Sequence, residues 1–208
     1  MGIEREIKLA LPPEQAAAAD RFFTGIAGAP GRDVPLTNLY FDTPSLALAG
    51  AKIALRLRKT PESWLQTLKA AGTAQGGLHS RHEWETPVEN EALQLDTLAA
   101  ACDDETAIAA LRAASTALGE RFRTVFVRRL WHFEFDGAQI EAAIDRGEVT
   151  ARVDGQTRRD TLSEVELELL RGDEAALHTL TAKLSAEVPG LTPENVNKAQ
   201  RGYRLCAQ

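Results

Sequence analysis

Glu164-Val165-Glu166-Leu167-Glu168 alternates acidic with apolar residues, and Glu4-Arg5-Glu6-Ile7-Lys8 alternates in the same way near the start of the chain. Period two marks an extended strand, whose successive side chains leave on opposite faces. Glu164, Glu166 and Glu168 therefore share one face, and Val165, Leu167 and Leu169 share the other. In water such stacking costs little. Inside a closed site, two carboxylates about 4 Å apart repel by roughly 4 kcal/mol at an effective dielectric near 20, so an enclosed cluster calls for cations.

Other segments sort by parity in the same way. Glu4, Glu6 and Lys8 oppose Ile3, Ile7 and Leu9; Arg56 and Arg58 oppose Ile53, Leu55 and Leu57; Glu141 and Asp145 oppose Ile140 and Ile144. Arg81, Glu83 and Glu85 oppose Trp84, and Arg128, His132 and Glu134 oppose Val127, Trp131 and Phe133, although Arg129 falls on the apolar side. An antiparallel sheet with one solvated face also alternates. Such a face normally mixes in Ser, Thr, Gln and Lys, whereas this one collects Glu, Asp and Arg. Arg grips phosphate oxygens in pairs, and carboxylates suit hard divalent cations. A sheet closed with this face inward would form a charged tunnel, its apolar outer face covered by helices.

The 208 residues fit one compact domain. With 44% hydrophobic and 26% charged residues, the composition indicates neither disorder nor a fibrous repeat. A formal net charge of -6 argues against a general nucleic-acid binder, while leaving room for a local basic pocket. No apolar run could span a bilayer and the amino terminus lacks a signal-peptide pattern, so a cytoplasmic protein is expected. Gly2 is followed at position 6 by Glu6, which fails the myristoylation pattern. Cys102 and Cys206 stand outside any CxxC, against a disulfide framework or zinc site.

Strands are predicted over residues 3–11, 38–42, 52–59, 64–69, 80–88, 121–136, 138–147, 149–154 and 158–170, with residues 71–77 as a glycine-containing loop. Asp136-Gly137 is a hairpin turn. Helices are predicted from near Glu14 to the glycines at 25–31, over 45–49, within 91–118, from Gly172-Asp173 to about Glu187, and over 192–205. The order fits an antiparallel barrel or a strongly curved sheet in an α+β fold.

Glu4-x-Glu6-x-Lys8 resembles the ExExK signature of the CYTH domain, of the triphosphate tunnel metalloenzyme superfamily. Further blocks resemble that family in order: Asn38-Leu-Tyr-Phe-Asp-Thr-Pro44, Leu55-Arg-Leu-Arg-Lys59, Thr67-Leu-Lys69, Gly76-Gly-Leu-His-Ser-Arg81, Ile140-Glu-Ala-Ala-Ile-Asp-Arg-Gly-Glu148, Glu164 to Glu168, and Lys198-Ala-Gln-Arg-Gly-Tyr203. ExExK alone is a weak signal, and the ordered set is strong. The nearest likeness is to bacterial inorganic triphosphatases in which a CYTH domain is often fused to a helical CHAD domain. The second domain is not expected within these 208 residues, whether by truncation or by nature.

The resemblance implies a closed eight-stranded antiparallel β-barrel with helices outside, spanning residues 1–208 as one domain. It implies metal-dependent hydrolysis of inorganic triphosphate to pyrophosphate and phosphate, with Mg²⁺ or Mn²⁺. Metal ligands are expected among Glu4, Glu6, Asp145, Glu164, Glu166 and Glu168, with Glu166 foremost in its run. Phosphate-gripping residues are expected at Lys8, Arg56, Arg58, Lys69, Arg81, Arg128, Lys198 and Arg201, with Lys8, Arg58 and Glu6 central to catalysis. Arg81 could instead pair with Glu83, and Arg201 with a surface or helix partner. No protein nucleophile is needed, which suits the lack of a P-loop, GxSxG or HExxH.

Trp64, Trp84 and Trp131 read as packing between barrel and helices, and the 40–44 stretch as a strand end with a helix cap in preference to a border of the tunnel mouth. The same fold also serves thiamine triphosphatases, nucleoside triphosphatases and class IV adenylate cyclases. A non-catalytic polyphosphate- or nucleotide-binding module is the remaining alternative. Whether the chain acts as a monomer or homodimer stays open.

Overall fold

The computed structural model describes residues 2–207, apart from the side chains of residues 2, 3 and 71, so the place expected for the Ile3 side chain lies outside the described residues. Eight strands form the barrel: β1 (Gly2–Ala10), β2 (Arg32–Asp42), β3 (Ala54–Lys59), β4 (Trp64–Gln75), β5 (Leu78–Val88), β6 (Gly119–Phe135), β7 (Ala138–Val153) and β8 (Gln156–Arg171). Neighbours run antiparallel in the order β5-β4-β3-β2-β6-β7-β8-β1, and β1 also pairs with β5, which closes the ring. The expected closed eight-stranded barrel is therefore what the chain forms. A two-residue strand, β9 (Thr192–Pro193), extends the pairing of β1 at Leu9 and Ala10.

Helices cover the outer face. α1 (Ala16–Ala27) and α5 (Ala175–Glu187) bury Phe22, Phe23, Leu177, Leu180 and Leu184 against Ile7, Leu9, Trp131, Ile140, Ile144, Val165 and Leu167. The short α2 (Ala47–Gly50), α3 (Leu95–Ala101) and α4 (Glu105–Ala114) bury Leu48, Leu98 and Leu111 against Leu55, Leu68 and Trp84. These strand residues have the apolar parity read from the sequence, so burial of this face supplies the driving force that turns the other face inward. Among the described residues no helix is long and apolar enough to cross a membrane.

The inward face is charged over only part of its length. Phe126 shares the parity of Arg128, and Leu162 that of Glu164; both pack with Val34 and Leu36. Phe122 and Val149 pack with Tyr40, Ala151 and Leu205 of α6 (Lys198–Ala207). The long strands thus pass from a charged stretch to an apolar one that fills the barrel under α6.

Several boundaries differ from expectation. β2 starts at Arg32 rather than 38, with Pro35 inside it. β6 pairs with β2 from Arg32 while β3 pairs only from Thr37, so Pro35 sits where one side of β2 is an edge and its missing N–H costs nothing. Residues 71–77 are mostly strand: the register shifts between Lys69 and Gly72, and a Cβ on Gly72 would lie 2.2 Å from the Ser80 carbonyl oxygen. That glycine serves close approach rather than a loop. β7 is continuous through Gly147, which pairs with Phe126 and Leu162 on its two sides. The last helix begins at Lys198 rather than 192, because Thr192 and Pro193 pair with β1 and the Glu194 N–H donates to the Lys8 carbonyl at 2.9 Å.

Candidate active site

The inward charges line a cavity of ≈ 450 Å³ inside the barrel. Strand registers set its layout. Glu6 of β1 faces Glu168 of β8, which faces Glu141 of β7, so three carboxylates stand in one row across adjacent strands. One step along, Lys8 faces Glu166; a further step on, Glu164 faces Asp145, which faces Arg128. On the opposite wall, Arg56 and Arg58 of β3 face Tyr40 and Asn38 of β2.

Most of these charges are paired. Arg81 bridges the ExExK carboxylates, with Nε 2.7 Å from Glu4 and Nη2 2.7 Å from Glu6. Lys8 Nζ donates to Glu6 at 2.8 Å and also to Glu166. Lys69 lies 2.5 Å from Glu83 and 3.5 Å from Glu4, and Arg56 reaches Thr67 at 2.9 Å and Glu83 at 3.2 Å. Arg128 clasps Asp145 through two bonds of 2.9 and 2.8 Å and also meets Glu166. Lys198 Nζ enters from α6 and lies 2.6 Å from Asp145, 2.5 Å from Glu164 and 2.7 Å from Glu166.

Two residues stand apart. Glu168 has no ion-pair or hydrogen-bond partner among the described residues; burial, then Glu4, Glu141, Glu6 and Glu166, push its carboxyl up to about 7. Among the described residues Arg58 has no carboxylate partner, and its Nε donates to Asn38 Oδ1 at 2.9 Å. Burial, then Arg56 and Arg128, push that guanidinium down to about 10. The cavity thus holds one uncompensated anion and one uncompensated cation on different walls. Burial, then Arg81, pushes Lys69 down to about 8.

α6 delivers Lys198 by close packing. A Cβ on Gly202, one turn further on, would lie 2.0 Å from the Phe122 ring, so glycine lets the helix lie directly on the barrel end. Lys198 Nζ also sits 5.1 Å from the centre of the Phe126 ring.

Of the residues expected from sequence, Glu4, Glu6, Lys8, Arg56, Arg58, Lys69, Arg81, Arg128, Glu166, Glu168 and Lys198 line the cavity together. Asp145 and Glu164 do not line it: both are fully buried behind Lys198 and Arg128. Asp145, Glu164 and Glu166 do bring ligand atoms within 4.8 Å of one another. Arg201 does not line the cavity either, since it faces Asp160 at 3.1 Å and Glu194 at 2.5 Å, the alternative its place on the last helix allowed. Arg81 pairs with Glu4 and Glu6, and Glu83, the partner weighed for it from sequence, is held by Lys69 and Arg56 instead.

The sequence reading omitted Tyr40, Glu83, Glu85, Glu141 and Asn197, which also line the cavity. Parity already placed Glu83, Glu85 and Glu141 on the charged face. Tyr40 has the inward parity of Asn38, while Asp42 on the same strand accepts from the Leu48 and Ala49 N–H groups at 2.9 Å, so the 40–44 stretch is both wall and helix cap. Asn197 lies outside regular structure and carried no signal.

A sequence profile of the CYTH domain matches residues 2–203. The chain belongs to the CYTH family. It is 31% identical over 203 residues to the inorganic triphosphatase of Haemophilus influenzae, covering 97% of this chain and 54% of that protein, so it spans about half the length of its relative. Among solved structures, a Hippeastrum protein studied as an adenylyl cyclase and described as having a dominant triphosphatase activity superposes with a TM-score of 0.67 at 18% identity, over 97% of this chain and 95% of that one. The capping-enzyme triphosphatase of Mimivirus gives 0.54 at 11% identity, over 89% and 90%. Likeness at these identities bears on the CYTH fold and leaves substrate aside.

Proposed function

We propose that this CYTH protein hydrolyses inorganic triphosphate to pyrophosphate and phosphate with a divalent cation. The observation that carries the reading is that one cavity is lined both by Glu168, unpaired among the described residues and with Glu4 and Glu6 beside it, and by Arg58, which has no carboxylate partner among them. A neutral ligand would use neither. A polyanion carrying a dication uses both.

The donor set fits the metal. Glu4, Glu6 and Glu168 offer only carboxylate oxygens, the donors preferred by Mg²⁺ and Mn²⁺. The elevation of Glu168 reflects burial first and then repulsion from Glu4, Glu141, Glu6 and Glu166, a repulsion that a bound dication would relieve. Glu4, Glu6 and Glu168 would hold the ion, which would supply positive charge to offset that developing on the transferred phosphoryl group.

The chain's own groups carry the rest. Arg58, held by Asn38, presents its guanidinium to phosphate oxygens, with Arg56 beside it. Lys8, Arg128 and Lys198 form the opposite cationic wall and meet on Glu166. Lys8 and Arg81 fix the Glu6 carboxylate from two sides. Water adds to the terminal phosphorus and the anhydride P–O bond breaks; Lys and Arg stabilise charge on the equatorial and leaving oxygens.

A second cavity of ≈ 400 Å³ favours one further reading. Its walls, which include Ile53, Thr73 and Tyr203, adjoin the first through Lys69, Arg81 and Asn197. A nucleoside attached to the triphosphate could lie there, making the chain a nucleoside triphosphatase. Phosphate release from tripolyphosphate, ATP and thiamine triphosphate, each with Mg²⁺, Mn²⁺ or a chelator, decides between them. Highest kcat/KM for tripolyphosphate supports the leading reading. Preference for ATP supports the second, and tight binding without turnover would make the domain a binding module.

A further inference from the structure

We propose that Asp145 and Glu164 are positioning residues for Lys198 rather than metal ligands. Their role assumes the triphosphatase reading, because the cation they hold is one that would grip phosphate. With Glu166 they form the tightest group of carboxylates in the barrel, which by spacing alone looks like a metal site. An ammonium already fills it. Lys198 Nζ lies 2.5 to 2.7 Å from one oxygen of each, so a dication would have to take its place.

The remaining contacts agree. Both Asp145 oxygens bond to Arg128, and Asp145 and Glu164 have no exposed surface from which to reach a cavity ligand. Glu166 also meets Lys8 and Arg128, so three cations offset the three carboxylates. The acid that lacks such compensation among the described residues lies elsewhere: Glu168, in the row with Glu6 and Glu141. The buried trio anchors the start of α6, Gly202 on Phe122 holds its middle, and together they fix where the ammonium meets a substrate.

Three measurements test this. In Mn²⁺ titrations followed by electron paramagnetic resonance without substrate, D145N and E164Q should keep Mn²⁺ affinity within about twofold, while E168Q should lose about tenfold or more. In turnover, D145N and E164Q should raise the KM for tripolyphosphate about tenfold with little change in kcat, and should add nothing in a K198M background, as coupled neighbours do. In thermal melts, E164Q should raise the melting temperature of K198M, because Glu164 pairs with no other cation among the described residues and is left there as a buried charge without its partner, whereas Asp145 keeps Arg128.

Loss of Mn²⁺ affinity in E164Q to the extent seen in E168Q would overturn the assignment, as would KM effects additive with K198M. E164Q, nearly isosteric, carries the test if D145N does not fold. If the wild-type protein turns over no triphosphate, the functional reading fails, and the Mn²⁺ titrations and melts still decide whether the trio holds lysine or metal.

Discussion

Glu6 and Glu168 stand directly opposite one another on neighbouring antiparallel strands, and while Lys8 and Arg81 hold Glu6, no cation pairs with Glu168 among the described residues. Like charges in facing positions destabilise a sheet, so the arrangement works against the fold unless a cation is bound. E168Q should therefore stabilise the metal-free protein above pH 7 by about 1 kcal/mol and remove most of the stabilisation that Mn²⁺ gives the wild type. Paired melts with and without Mn²⁺ check both halves.

The same residue predicts a pH dependence. Its carboxyl is raised from 4.5 to about 7 in the folded chain, so between those values the folded state binds more protons than the unfolded state. Stability of the metal-free protein should accordingly fall as pH rises through that window. Glu166 acts in the opposite sense: against burial, Lys198, Lys8 and Arg128 hold it well below the carboxylate range, contributing stability that is lost only in acid. Urea midpoints from pH 4.5 to 8 should decline with pH in chelator and flatten with Mn²⁺.

Arg58 is expected to act on substrate and to matter little to the fold, because no carboxylate depends on it. R58A should lower kcat/KM for tripolyphosphate by about 100-fold, near 2.7 kcal/mol, with a melting temperature close to wild type. N38A removes only the group that orients Arg58 and leaves Thr124 without its 2.7 Å bond, so it should give a smaller loss with some destabilisation. Steady-state kinetics beside calorimetry separates the two.

Gly202→Ala puts a methyl group where the Phe122 ring lies, with a closest approach of 2.0 Å. Either the ring or α6 must move, at a cost of about 1–3 kcal/mol. Movement of α6 would withdraw Lys198, so KM should rise with the loss of stability. Gly25→Ala, inside α1 with nothing within 4 Å, is the control: it should leave KM unchanged and raise stability by about 0.5–1 kcal/mol through helix propensity.

Most of the strands and the charged lining were legible in the sequence through one rule, while closure into a barrel came from the family resemblance, since alternation alone left a strongly curved sheet open. Period-two alternation identified the strands and, through parity, the inward set from Glu4 to Glu168. Parity says which face a residue occupies and nothing of how far along the barrel it lies. Asp145 and Glu164 have the inward parity yet sit behind Lys198, and Phe122 and Phe126 have it yet form an apolar plug. Depth depends on the register between strands, which single-strand patterns leave open. Arg201 posed the helical version of the problem: it shares a helix with Lys198 but projects toward Asp160 and Glu194. The glycines at 72 and 147 misled boundaries because close backbone approach and a loop call for the same residue.

Anomalous diffraction from crystals soaked in Mn²⁺ and tripolyphosphate tests the central claim, a dication and a triphosphate held together inside the barrel. The predicted result is manganese between Glu168 and the Glu4–Glu6 pair, with phosphates running toward Arg58 and Lys198. Manganese among Asp145, Glu164 and Glu166, or a triphosphate bound outside the barrel, would contradict it.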